Sequence, residues 1–171
     1  MSEGGGLADA AVVLTPVAVP EALAAGAALH RLPVDVVPTA IGCVAVCRSP
    51  AAGDPETAAR MLSTVVRTAP VVLLVQRDGQ LTASRWHAGV EQAQLAAALM
   101  LDGAPREIED LLLGTVRVAD LAGVVSSDMS RWRATRILAG MAGRARMQPR
   151  AARTSTSPRR PAAGTDADAD A

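Results

Sequence analysis

Apolar residues fall in short unbroken runs through the first half of the chain and at helical spacing through the second. Ala10–Val19 is rich in residues that favour strands, and Pro20-Glu21 then opens an Ala-rich stretch to Leu32, with Pro20 suited to a first helical turn. Val34–Val37 is a short extended piece bracketed by Pro33 and Pro38. Ile41–Arg48 is apolar on both faces, the pattern of a strand covered on both sides. Asp54-Pro55-Glu56 signals a helix start, and Ala58, Met61, Leu62 and Val65 give the helix to Thr68 an inward face. Val71–Gln76 and Leu81–Trp86 flank Asp78-Gly79, the pair that supplies the positive φ angles of a tight hairpin turn. The spacing predicts further helices over Val90–Leu101 and Pro105–Leu113, the second acidic in its first turn and stopped by Gly114.

Strands mixed with helices, followed by helices alone, predict an α/β or α+β fold: a small mixed sheet of four to five strands with a β-hairpin, then a helical C-terminal part. The expected divisions are a Gly-rich leader at 1–9, an α/β domain at 10–102, a helical part at 103–147 and a disordered tail at 148–171. The tail rests on composition, since Pro, Arg, Ser, Thr, Gly and Asp dominate it.

Composition sharpens this picture in three places. The 171 residues include no Phe and no Tyr, so Trp86 and Trp132 are the candidate aromatic anchors. Basic and acidic residues balance at 17 each, and every basic one is Arg, a bias that weakens Arg richness as a signal of nucleic acid. The distribution is less even: nine Arg and no acid lie between Arg131 and Arg160, after which Asp alternates with Ala. Glu3 and Asp9 precede the first apolar run, and Pro16 and Pro20 cut it short, so a cytoplasmic location with no membrane partner is expected.

Thr115–Ala134 is the one segment whose spacing implies a chemistry. Val118, Ala119 and Ala122 share a face of a short helix, Gly123 sits where the chain reverses, and Ser126, Ser127 and Asp128 offer caps for a second helix. In that second helix Met129 and Trp132 would face the first, leaving Ser130, Arg131 and Arg133 outward. Val118-Ala119-Asp120-Leu121-Ala122-Gly123-Val124 with Met129-Ser130-Arg131 resembles the helix-turn-helix of bacterial repressors, most closely the Lac repressor family, over about twenty residues. The family carries this motif near its N-terminus and a small polar residue where Val125 stands. The resemblance implies a second helix in the major groove of double-stranded DNA, with Ser127, Asp128, Ser130 and Arg131 as base-facing candidates. Arg133 and Arg136 would lie near the backbone, and Arg144–Arg160 would add salt-sensitive affinity. Pro105–Leu113 would serve as the third helix through Ile108, Leu111 and Leu112. The expected function is a regulator binding DNA through Ser127, Ser130, Arg131, Arg133 and Arg136, with an α/β domain that senses or forms a homodimer. The alternative is a non-enzymatic interaction module in which 115–134 is packed core.

Other chemistry finds little support. Cys43 to Pro50 resembles the phosphate loop of low-molecular-weight tyrosine phosphatases in its Cys-Arg-Ser-Pro ending, but Cys43 is one residue too close to Arg48 and Val44-Ala45-Val46 makes a strand. Cysteines four apart on a strand lie about 13 Å from each other, too far for a disulfide. His30 and His87 show no metal-ligand spacing. No catalytic residue, cofactor or metal is expected.

Overall fold

The computed structural model describes residues 9–147, with side chains through Gly143. The expected leader at 1–8 and tail at 148–171 lie outside the described residues. Seven strands and five helices form one mixed α+β arrangement around a single antiparallel sheet: β1 (Ala10–Leu14), α1 (Pro20–Leu29), β2 (Val34–Thr39), β3 (Gly42–Cys47), α2 (Asp54–Val65), β4 (Val71–Arg77), β5 (Gln80–His87), β6 (Val90–Leu95), α3 (Ala97–Asp102), α4 (Arg106–Leu113), β7 (Val125–Ser126) and α5 (Arg131–Met147). The sheet order is β6-β5-β4-β1-β3-β2-β7. Every strand pairing is antiparallel, where a mixed sheet of four to five strands was expected.

The central strand is β1, paired to β3 on one side and β4 on the other. Both of its faces are covered, which is why Ala11, Val12 and Val13 are fully buried and the run carries no polar alternation. On one side Ala11, Val13, Ala45, Leu73 and Trp86 meet Leu23, Ala24, Ala59 and Leu62 from α1 and α2. On the other, Val12, Val44 and Leu74 meet Ile108 and Leu112 of α4. The helix Arg106–Leu113 therefore spends its apolar stripe on the sheet and is not the third member of a helix-turn-helix. Residues 103–147 also extend the sheet itself, because β7 pairs with β2.

Helix α1 is buried nearly all round, as its Ala-rich sequence allows. Leu23, Ala24 and Ala27 face the sheet, whereas Ala25 and Ala28 face α5. Gly26 lets α2 approach, since a Cβ there would stand 2.9 Å from Val65 Cγ1.

The hairpin around Asp78-Gly79 forms as expected, with φ of 50° and 76°. A second hairpin follows at once: Ala88 and Gly89, at 49° and 81°, turn the chain into β6 where a helix from Val90 was expected. Glu91-Gln92-Ala93-Gln94 has helical propensity, but the turn delivers it onto the open edge of β5, and the ladder prevails. The helix begins only at Ala97. Among the described residues no helix is long and apolar enough to cross a membrane.

Candidate nucleic-acid interface

In the segment Thr115–Ala134 the first helix of the expected pair is not formed. Val118–Asp120 is a single 3-10 turn, and Gly123 at φ 75° then brings the chain onto the sheet edge as β7. The physical reason lies in β2: its edge offers unpaired backbone groups, and Val125-Ser126, with its β-branched Val, is short enough to take them. Asp35 pairs with Ser126 and Val36 with Val125.

Ser127 continues this attachment and is buried at 6 % exposure. Its backbone N–H donates to Val34 O at 3.0 Å, its Oγ donates to Leu32 O at 2.7 Å, and its Oγ accepts from Val34 N at 3.0 Å. A hydroxyl so engaged cannot face a DNA groove, so Ser127 leaves the set of base-facing candidates and becomes an anchor. Asp128 leaves it too. Its carboxylate accepts from Arg48 Nη1 at 2.6 Å, while Arg48 also donates to both oxygens of Asp35, at 2.6 and 2.9 Å, and to Ser126 Oγ at 2.6 Å. Arg48, the arginine of Cys-Arg-Ser-Pro, is thus a clamp joining β3, β2 and the segment before α5. Nothing local in the sequence foretells this contact, because 80 residues separate Arg48 from Asp128.

The clamp sets where α5 begins. Ser130, not Ser126, Ser127 or Asp128, caps the helix, its Oγ accepting from Arg133 N at 3.3 Å. Ala134 then sits fully buried against Ala25 and Ala28, with Ile137, Leu138 and Met129 packed around it. That contact fixes the rotation of the helix about its axis. With 134, 137 and 138 turned inward, Arg131, Arg133 and Arg136 are exposed, as is Ser130. Trp132 turns outward with them at 71 % exposure, where an inward anchor was expected. Its ring lies 5.2 Å from the Arg136 guanidinium carbon, a stacked cation–π arrangement.

Two larger grooves flank this face, and a third, of about 400 Å³, is lined by Arg136 together with Glu21. One, of about 460 Å³, is lined by Ser130, Trp132, Arg133, Arg136 and Ile137. The other, also about 460 Å³, lies at the start of α5 and brings Arg31, from the end of α1, to the same wall as Arg131. Arg31 joins the basic surface through tertiary packing alone, and no local pattern marks it. Among the described residues the only ion pairs are the two made by Arg48, so the four exposed arginines carry no carboxylate partner there.

The remaining candidates do not gather. Cys43 is buried and Cys47 half-buried on the same side of β3, both as free thiols. Burial, aided by Glu56 and Asp54, pushes the Cys47 thiol from 9.0 up to about 12, and burial with Glu21 raises Cys43 as well. Neither is a thiolate near neutrality. Among the described residues no three His, Cys, Asp or Glu side chains are grouped to hold a metal.

No known protein family, curated protein or solved structure matches this chain.

Proposed function

We propose that this chain is a small regulatory protein that binds double-stranded DNA through the outer face of α5. The observation that supports the reading is the pair Arg133 and Arg136 beside Trp132, with Arg131 at the helix start near Arg31, all exposed and without a carboxylate partner among the described residues, on a helix whose other side is fixed by Ala134 against α1. Seventeen residues make a rod of about 25 Å, a size the major groove admits. Val118–Asp120 is a 3-10 turn and Val125–Ser126 a strand, so α5 is offered without a preceding helix, and the contacts it offers are chiefly to phosphate. Ser130 and Arg131 at the start of the helix are the side chains best placed for base edges.

The test is anisotropy of a labelled 20-base-pair duplex at 50 and 200 mM salt, with wild type and the Arg131→Gln/Arg133→Gln/Arg136→Gln chain. Three phosphate contacts steepen the logarithmic salt dependence by roughly 2.7, so their loss removes about a fortyfold salt effect over this range. No binding at 50 mM salt, or equal slopes for the two chains, refutes the reading.

Trp132 favours a second reading, in which the same face receives a protein. An exposed Trp beside Arg is the composition of an interface hot spot. Trp132→Ala separates the two, because a protein partner loses affinity through the ring and phosphate binding keeps its salt slope.

A further inference from the structure

The sequence continues beyond α5 for 24 residues, and its acidic groups, Asp166, Asp168 and Asp170, lie at the far end of that segment. We infer that Asp166–Asp170 docks on the groove of Arg133, Arg136 and Trp132 and occupies the face that DNA would use. The inference rests on the proposed role of α5 as an anion-binding face, and it adds the occupant of that face when no nucleic acid is present.

Charge complementarity supports it first. The three carboxylates alternate with Ala, so in an extended segment all three project to one side at intervals of about 6.6 Å. Arg133 and Arg136 stand one turn apart on the groove, about 4.5 Å along the helix axis, with long side chains that widen this span. They stand without a carboxylate partner among the described residues, and Trp132 holds the Arg136 guanidinium at the groove wall. Ala167 and Ala169 are small enough to let the segment lie close to Trp132 and Ile137, which line the same groove.

Reach supports it independently. From Met147 back to Arg133 is about 21 Å along the helix, whereas the 19 residues from Met147 to Asp166 span up to about 63 Å. A tether of this length matched to such a distance gives an effective concentration in the millimolar range. Weak carboxylate–guanidinium contacts are sufficient at that concentration, and they share the salt sensitivity of the DNA contacts they displace.

The test uses the full chain, a chain ending at Gly164, and the Asp166→Asn/Asp168→Asn/Asp170→Asn chain. Acrylamide quenching reads Trp132, since Trp86 is buried at 4 % exposure, and the Trp132→Phe chain supplies the background. Acrylamide is uncharged, so a change of net charge alone does not move this readout. The expected result is a quenching constant about twofold higher in both altered chains at 50 mM salt, equal to the full chain at 0.5 M salt. A synthetic peptide of residues 164–171 at millimolar concentration restores protection to the truncated chain. The duplex of the preceding test binds the altered chains about three- to tenfold more tightly at 50 mM salt. Identical quenching in all three chains overturns the inference, as when Asp166–Asp170 pairs with Arg159 and Arg160 instead. Duplex binding that persists with unchanged quenching overturns the docking and leaves the DNA reading standing. Tail-dependent quenching without duplex binding by any chain supports the docking and refutes the DNA reading.

Discussion

Ser127→Ala separates an anchor from a base-reading residue. The substitution removes one hydroxyl that donates to Leu32 O and accepts from Val34 N, both inside the protein. Val34 N keeps a longer contact with Leu32 O at 3.1 Å, so it is weakened and not orphaned. Two buried bonds at about 1 kcal/mol each give an expected destabilisation of about 2 kcal/mol. For a chain of this size that corresponds to a fall in Tm of about 6 °C. Urea unfolding followed by Trp86 fluorescence in a Trp132→Phe background is the assay. The midpoint falls while the slope stays constant, because the surface exposed on unfolding is unchanged. Ser130→Ala is the companion: its single 3.3 Å cap bond is exposed, and the expected cost is about 0.5–1 kcal/mol. An unchanged midpoint for Ser127→Ala, or a larger loss for Ser130→Ala, refutes the anchoring role. A base-reading Ser127 would instead show unchanged stability and altered preference among duplex sequences.

Three further outcomes follow from the same geometry. Gly42→Ala drives a Cβ into the Thr15 carbonyl at a backbone φ of 127°, and calorimetry should register a loss of about 2–4 kcal/mol. The Arg48 clamp is unequal: Asp128→Asn, at a side chain 78 % exposed, costs under about 1 kcal/mol, whereas Asp35→Asn, at 22 % and held by two bonds, costs about 1–3 kcal/mol in urea unfolding. Cys47 titrates near 12 in the folded chain against 9.0 ordinarily, so at pH 8 it alkylates with iodoacetamide roughly a thousandfold more slowly than after denaturation, as peptide mass mapping reads. The native state keeps a proton that the unfolded chain releases, so this thiol's contribution to stability is intact below pH 9 and is lost as pH rises toward 12.

The sequence alone determined the elements whose side chains have one place to go. Ala11–Val13 and Val44–Ala45 have no polar face, so they had to be covered on both sides, and Asp78-Gly79 carries its turn in its own backbone preferences. The exposure of Ser130, Arg131, Arg133 and Arg136 was also legible, since no charged residue of that run had a reason to be buried. What only the tertiary structure decided concerns segments with two nearly equal local choices. Glu91–Gln94 could be helix or strand, and the open edge of β5 chose. Val118–Ser127 could be the start of a helical pair, but backbone pairing to β2, the two Ser127 bonds and a clamp from Arg48 hold its end, Val125–Ser127, in an extended path after a single 3-10 turn. Those contacts join residues 78–95 positions apart, beyond the reach of any local pattern. They also set where α5 begins, and the packing of Ala134 on α1 then turns Trp132 outward beside Arg133 and Arg136.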